Sequence, residues 1–220
     1  MSPFARTFIQ TIVLASAAIV TGCLPAPKGE MPIHYAENPD VKPAAWEKRG
    51  PEARQWTLHT YNELRQTLPS PADLTPRDLK DFCPEYTTMA RKDRLNFWVQ
   101  LVSAMTRYES GFKPETEHTE NFKDQYGRQV VSRGLLQMSI GSVEKQCGIV
   151  HVNQLHNPFR NLSCGVKLLV RYVSRDGVLS DKVGDNYQGG ARYWAVLRPG
   201  HKDFLANIQS ATKSFCENYR

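Results

Sequence analysis

Tyr108-Glu109-Ser110-Gly111-Phe112 ends the strongest helical pattern in this chain of 220 residues. From Arg91 to Glu109, apolar side chains recur at every third or fourth position, namely Leu95, Trp98, Val99, Val102, Met105 and Tyr108. Such a stripe predicts a helix with one buried face. Glu109 would end that helix, where burial and the negative end of the helix dipole both raise the pKa of a carboxyl group. A carboxylic acid that stays protonated near neutral pH can act as a general acid, whereas an exposed glutamate would only close the helix.

Two further segments accompany Glu109. Gly134-Leu135-Leu136-Gln137-Met138 begins 25 residues after it, and Asn161-Leu162-Ser163-Cys164-Gly165 is typical of the start of a second helix. Together with the Glu109-Ser110 pair, these segments resemble the three motifs of the SLT-domain lytic transglycosylases, the goose-type lysozyme-like family (glycoside hydrolase family 23). The resemblance covers about residues 75 to 200.

The resemblance implies a mainly α, lysozyme-like domain with Glu109 as the sole essential acid, which first protonates the leaving oxygen and then acts as a base. The substrate would be the MurNAc-GlcNAc glycan strand of peptidoglycan, and no cofactor is expected. In a lytic transglycosylase the C6 hydroxyl of the same MurNAc attacks and leaves a 1,6-anhydro end. Gln137 would hydrogen-bond the substrate from the cleft floor, and Ser110 would orient the Glu109 carboxyl or cap the helix.

The chain departs from the family pattern between Glu109 and Gly134, where the spacing is longer than usual. The added loop carries four acids, Glu115, Glu117, Glu120 and Asp124. One of them, with Glu120 the first candidate, could position a water opposite Glu109 and make the enzyme a hydrolysing lysozyme, since carboxyl groups in that role stand roughly 6.5–9.5 Å apart. Alternatively, the negative field of the loop could select a cationic, N-deacetylated glycan. Ser139 stands where goose-type lysozymes carry an aspartate, which argues against their form of hydrolysis.

A second departure lies near residues 185 to 194, where the family shows an Ala-Tyr-Asn-Ala-Gly run. The chain has Asp185-Asn186-Tyr187-Gln188-Gly189-Gly190, followed by Ala191-Arg192-Tyr193-Trp194. Either Tyr187 or Tyr193 could therefore hydrogen-bond Glu109 or the sugar at the scission site. Tyr193 is slightly preferred, although its place in an aromatic helical run also suits the core.

The amino terminus is typical of an exported bacterial lipoprotein. Residues 1 to 22 read as a signal peptide, with Arg6 before an apolar stretch too short to span a bilayer. Val20-Thr21-Gly22-Cys23 resembles the lipobox, which implies lipidation, including palmitate, at Cys23; an ordinary secretory signal is the alternative. Residues 23 to 48, rich in proline, would form a tether, and residues 49 to 220 the catalytic domain. We expect a location in the cell envelope facing the periplasm, at the outer rather than the inner membrane, or secretion.

The number of cysteines and the net charge bear on disulfides, metal binding and the class of partner. Besides Cys23, four cysteines remain, an even number that suits two disulfides in an oxidising compartment. Cys147 and Cys164 flank one short loop, which leaves Cys83 for Cys216. Their spacing to one another and to histidine does not suit zinc, so no metal is expected. The net charge of +6 suits an anionic envelope or weak nucleic-acid binding, and export disfavours nucleic acid.

Two shorter helices are predicted before the main one. The first begins at Pro51 and places Leu58, Tyr61, Leu64, Arg65 and Leu68 at helical spacing. The second begins at Thr75-Pro76-Arg77-Asp78, with a capping hydroxyl ahead of the proline, and directs Leu79 and Phe82 inward. We expect a monomer that binds peptidoglycan strands, with the membrane reached only through the lipid. A lysozyme-like domain that binds the wall without cleaving it is the alternative of another class.

Overall fold

In the computed structural model, which describes residues 34–201 and 203–219, helices account for most of the described residues. The α-helices are α1 (Pro51–Gln66), α2 (Leu79–Phe82), α3 (Arg91–Glu109), α4 (Ile140–Cys147), α5 (Pro158–Asp176) and α6 (Phe204–Cys216). Two antiparallel hairpins complete the fold: β1 (Glu117–Lys123) with β2 (Gln129–Arg133), and β3 (Ser180–Val183) with β4 (Asn186–Gly189). The predicted mainly α class is confirmed.

The helix α3 forms the centre of the core. It begins at Arg91 and ends at Glu109, as its periodicity predicts. Burial extends beyond the predicted stripe, because Phe97 and Leu101, which lie outside it, are also fully buried. Helices α1 and α6 both pack against α3. Nearly every residue from 95 to 106 is buried, so α3 is covered by protein over most of its circumference. A helix held in this way can fix the position of the residue at its end.

The helix α1 follows the prediction at its start and departs from it at its end. It begins at Pro51, and Leu58, Tyr61 and Leu64 are buried. The expected inward position of Leu68 is wrong, because the helix stops at Gln66 and the Leu68 side chain is 88% exposed. Leu68 precedes Pro69, and a residue before proline is disfavoured in helical conformation.

The predicted helix start at Thr75 is also wrong. The helix α2 begins at Leu79 and has only four residues. Asp78 precedes it, but its carboxylate accepts hydrogen bonds from the backbone amides of Leu179 (2.8 Å) and Ser180 (2.9 Å), far along the chain. A long-range partner therefore replaces the local cap. The expected burial of Leu79 and Phe82 is confirmed.

Residues 34 to 48 pack against the helices. The Trp46 side chain is fully buried, and its indole donates a hydrogen bond of 2.7 Å to the Thr57 hydroxyl. The Tyr35 hydroxyl lies 2.6 Å from His59 Nδ1. The tether predicted for residues 23 to 48 is therefore wrong for 34 to 48, and the folded domain includes them. The rest of the predicted tether, the signal peptide and Cys23 lie outside the described residues.

Two disulfides close the fold, with the predicted pairing. Cys83 bonds to Cys216, which joins the end of α2 to the end of α6, and Cys147 bonds to Cys164, which joins α4 to α5. Among residues 34–201 and 203–219, no helix is both long and apolar enough to cross a membrane. The same residues contain no group of three or more His, Cys, Asp or Glu side chains arranged to hold a metal ion.

Candidate active site

Glu109 is the last residue of α3, and protein atoms surround most of its carboxyl group. The side chain is partly exposed, yet protein atoms surround it densely. Burial, and then the negative charge of Glu120, raise the pKa of Glu109 to about 8. The charge of Arg198 and a hydrogen bond donated by the Val196 amide act in the opposite direction. Glu109 is therefore a carboxyl group that keeps its proton at neutral pH.

The acidic segment after α3 forms the β1–β2 hairpin, and its acids differ in their surroundings. Glu120 is partly buried, and the Ser132 hydroxyl on the facing strand donates a hydrogen bond of 2.5 Å to its carboxylate. Glu117 is held by Arg133 (2.8 Å) and His156 (3.0 Å). Asp124 is held by Arg128 (2.7 Å), and Glu115 is exposed. Glu120 is the acid of this hairpin whose charge acts on Glu109.

The Gly-Leu-Leu-Gln segment is attached directly to the end of α3. The Ser110 hydroxyl donates to the Leu135 carbonyl at 2.9 Å and is nearly buried. Gln137 adopts a left-handed backbone conformation, with φ of 44°, which is uncommon outside glycine. Its side-chain amide nitrogen donates to the carbonyls of Gly134 (2.9 Å) and Thr116 (3.1 Å). Ser110 and Gln137 thus fix the local backbone, and the Gln137 Oε1 oxygen is the polar atom not used in these bonds.

Asn161 lies one turn inside α5 instead of starting it. The helix begins at Pro158, and the Asn157 side chain accepts from the amides of Phe159 and Arg160. Asn161 is fully buried; it accepts from the Leu136 amide at 2.9 Å and donates to two backbone carbonyls, those of Arg133 and Leu155. The prediction that this motif starts a helix is therefore wrong, and its asparagine secures the Gly-Leu-Leu-Gln turn.

Two glycines of the same motifs, Gly134 and Gly165, allow neighbouring segments to pack closely against them. At Gly134, with φ of 77°, an added Cβ would lie 2.0 Å from the Leu155 carbonyl oxygen. At Gly165 it would lie 2.1 Å from Leu136 Cδ1. The spacing from Asn161 to Gly165 places both residues on the face of α5 that supports the second motif. The three sequence motifs therefore meet around the end of α3.

The two candidate tyrosines have different surroundings. The Tyr193 hydroxyl accepts a hydrogen bond of 3.2 Å from the backbone amide of Ser139, immediately before α4. The Ser139 hydroxyl lies 2.8 Å from that of Ser142. Tyr187, on β4, is partly buried, and the guanidinium carbon of Arg198 lies 4.6 Å from its ring centroid. Of the two, Tyr187 shares a neighbour, Arg198, with Glu109.

Sequence reasoning missed Val196 and Arg198. Both belong to a short segment, with a 3-10 turn over Ala195–Leu197, that packs against α3. Val196 contacts Glu109 through its backbone amide, so the identity of its side chain does not indicate a role in the site. Arg198 stands in Leu197-Arg198-Pro199-Gly200, which reads as an ordinary surface turn. Only the fold brings this segment to Glu109.

The fold and sequence are similar to solved structures of DslA (Bd0314), a Bdellovibrio protein. The wild-type structure is 41% identical in sequence and superimposes with a TM-score of 0.76, over 81% of this chain and 100% of that chain. This chain belongs to the DslA family. No protein-family model and no curated protein sequence matches the chain.

DslA has also been solved as two variants, each with one glutamate replaced by glutamine. One is 41% identical to this chain with a TM-score of 0.74, over 78% of this chain and 96% of DslA. The other is 40% identical with a TM-score of 0.75, over 81% and 100%. The two substituted glutamates of DslA are eleven positions apart.

Proposed function

We propose that this protein is a peptidoglycan muramidase of lysozyme-like fold that cleaves the MurNAc-GlcNAc bond with Glu109 as general acid. The observation that carries the proposal is the Glu109 carboxyl, whose pKa of about 8 keeps it protonated at neutral pH in a partly open, protein-lined site. Cleavage of a glycosidic bond requires such a proton donor at the leaving oxygen. The convergence of the Glu-Ser, Gly-Leu-Leu-Gln and Asn-Gly motifs around it supports the resemblance to the SLT and goose-type lysozyme family.

Glu120 favours hydrolysis over formation of an anhydro product. Its charge reaches Glu109, and the Ser132 hydroxyl orients its carboxylate. A protonated acid beside a second, hydrogen-bonded carboxylate is the pair needed to protonate the leaving group and activate a water. We therefore propose hydrolysis, the alternative given by the sequence, ahead of the lytic transglycosylase reaction.

The spacing of these glutamates agrees with DslA. Glu109 and Glu120 are eleven residues apart, as are the two glutamates substituted in DslA. At 41% identity over the whole of that chain, equal spacing supports the proposal that the two proteins use a corresponding pair. The pairing remains a proposal for this chain.

Preference for an N-deacetylated glycan is a second proposal, and it rests on Glu120 rather than on the whole acidic hairpin. Arg133 and Arg128 neutralise Glu117 and Asp124, so the field of the hairpin is weaker than its acid count suggests. Glu120 is not in an ion pair among the described residues. An ammonium group on a deacetylated sugar near Glu120 would supply the missing positive charge.

The test is mass spectrometry of the fragments that residues 24 to 220 release from ordinary and N-deacetylated sacculi. We expect fragments with reducing ends from the wild type, and none from Glu109→Gln. Glu120→Gln should also lose hydrolysis, while Glu144→Gln, at an exposed glutamate on α4, should keep it. Anhydro ends would restore the transglycosylase assignment. Binding to sacculi with no release from either kind would identify a wall-binding protein.

A further inference from the structure

A cluster of two cations and one aromatic ring includes Arg198, whose charge acts on the candidate catalytic acid. Tyr187 and Lys182 face each other across the β3–β4 hairpin. The Lys182 ammonium lies 5.5 Å from the Tyr187 ring centroid, and the Arg198 guanidinium carbon lies 4.6 Å from the same centroid. Both distances are within the range of cation–π attraction. Two positive groups therefore contact the same ring.

The Arg198 side chain is oriented by one hydrogen bond to the protein, and its other donors have no assigned acceptor among the described residues. Its Nε donates a hydrogen bond of 3.2 Å to the Ala191 carbonyl. Within residues 34–201 and 203–219, no acceptor is assigned to its two terminal nitrogens, and no carboxylate lies within ion-pair distance of it. A guanidinium in this state presents two parallel N–H groups, which match the geometry of a carboxylate.

The nearby acids do not neutralise the cluster. Asp181, next to Lys182 in β3, pairs with Arg77 at 3.0 Å. Asp176 pairs with Arg192 and Arg175. Asp185 is exposed at the turn of the hairpin. The cluster of Arg198, Lys182 and Tyr187 therefore keeps its positive charge, and Arg198 is the member whose charge acts on Glu109.

The surroundings of Glu109 thus carry charges of opposite sign that come from different parts of the fold. Glu120 brings a negative charge to Glu109 from β1, and Arg198 brings a positive charge from the segment after the 3-10 turn. Fixed charges attract ligand groups of the opposite sign. A substrate that fits this arrangement carries an anionic substituent near its scissile bond.

We propose that Arg198 and Lys182, positioned by Tyr187, bind the carboxylate carried by the 3-O-lactyl substituent of MurNAc. This inference rests on the proposed muramidase function. The carboxylate has two sources with the same chemistry: the lactyl group itself in strands without peptides, or the peptide stem in strands that retain it. Arg198 would be the main contact, because its fork of donors can bind both carboxylate oxygens.

The experiment compares kcat/KM on three strands: strands with peptide stems, strands stripped of stems by an amidase, and stripped strands with methyl-esterified lactyl groups. We expect Arg198→Gln to lower kcat/KM about tenfold on a carboxylate-bearing strand relative to the esterified strand, as for loss of one charge-assisted contact. Lys182→Gln should act in the same direction, and Arg198→Lys should restore part of the loss. Lys48→Gln, at an exposed lysine in the 3-10 turn Ala45–Arg49, is the control for loss of net charge.

The ratio of kcat/KM between two strands separates recognition from catalysis. Glu109 acts on all three strands, so a change in its pKa affects each kcat/KM equally and does not alter the ratio. A loss confined to stem-bearing or to stripped strands identifies the source of the carboxylate. An unchanged ratio in both Arg198→Gln and Lys182→Gln would overturn the inference while leaving the muramidase proposal intact. If the wild type cleaves no strand, the muramidase proposal fails. Calorimetric binding of carboxylate and esterified strands to wild type and Arg198→Gln then decides the inference by itself.

Discussion

The backbone amide of Leu136 donates a hydrogen bond of 2.9 Å to the side-chain oxygen of Asn161, 25 residues further along the chain. The Asn161 side-chain nitrogen also donates to two carbonyls, so all three of these hydrogen bonds are made with backbone groups. Because Asn161 is fully buried, these bonds replace water for three backbone groups. The turn that presents Gln137 therefore depends on a residue in α5.

Asn161→Ala is expected to lower the free energy of unfolding by roughly 2–4 kcal/mol, because it removes the partner of the buried Leu136 amide and of the Leu155 carbonyl, and one of the two bonds to the Arg133 carbonyl. Urea denaturation measures this loss. Asn207→Ala, at an exposed asparagine on α6, should change stability by less than about 0.5 kcal/mol. Equal stability of the two variants would show that the turn does not depend on Asn161.

The helix and the motifs were accessible from sequence because they are local. Periodic apolar residues from Leu95 to Tyr108 mark α3, and Glu109 directly follows them. The pairing of cysteines was also accessible, since Cys147 and Cys164 bracket one short segment. In each case the signal lies within one stretch of chain.

The β1–β2 hairpin and the positions of Asp78 and Arg198 could not be predicted from the sequence, and the reason is physical. Residues 117 to 133 form a hairpin with both faces mostly exposed, so they show no alternation of apolar and polar side chains. Asp78 has the sequence of a helix start, but its partners are amides about a hundred residues away. Arg198 reaches Glu109 only through the packing of its segment on α3. Contacts of this kind depend on the assembled fold.

The raised pKa of Glu109 predicts a specific pH dependence of stability. Because the folded pKa of about 8 exceeds the ordinary value of 4.5, the folded state favours the protonated acid. This stabilisation is complete below about pH 4.5 and is lost as the pH rises through 8. Glu109→Gln, which is always neutral, should therefore match the wild type near pH 4.5 and exceed it near pH 8.

We expect that excess to be about 1–3 kcal/mol, since partial exposure of the side chain reduces the effect. Thermal unfolding at a series of pH values measures it. Glu144→Gln provides the matched change at an exposed glutamate, and its difference from wild type should vary less with pH. A Glu109→Gln curve parallel to that of the wild type would mean that the Glu109 pKa is not raised.

Glu120 and Arg198 should shift the pKa of Glu109 in opposite directions. The Glu120 charge raises this pKa and the Arg198 charge lowers it. Glu120→Gln should therefore lower the Glu109 pKa, and Arg198→Gln should raise it. NMR titration of the labelled Glu109 carboxyl measures both shifts without requiring activity.

Glu117→Gln is the control for this pair, because the Glu117 carboxylate is bound to Arg133 at 2.8 Å and Glu117 is not among the groups that shift the Glu109 pKa. Its Glu109 titration should coincide with that of the wild type. Shifts of the same sign in Glu120→Gln and Arg198→Gln would contradict the arrangement of charges around the acid.

Gly134 and Gly127 offer a comparison in which only the surroundings differ. Both have φ of 77°, a conformation that costs an alanine about 1 kcal/mol. At Gly127 nothing lies within 4 Å of an added Cβ, whereas at Gly134 the Leu155 carbonyl oxygen would lie at 2.0 Å. Gly127→Ala should therefore lose about 1 kcal/mol, and Gly134→Ala roughly 3 kcal/mol or more, because the backbone of the turn has to move.

Moving that turn should also affect catalysis. The Gly134 carbonyl accepts a hydrogen bond from the Gln137 side chain, and the next carbonyl, that of Leu135, accepts one from the Ser110 hydroxyl. Gly134→Ala should therefore lower kcat at temperatures where it remains folded, while Gly127→Ala should keep wild-type kcat. Urea denaturation and release of fragments from sacculi, measured on the same preparations, give both quantities. Similar losses of stability in the two variants would show that the close approach of Gly134 to Leu155 does not constrain the turn.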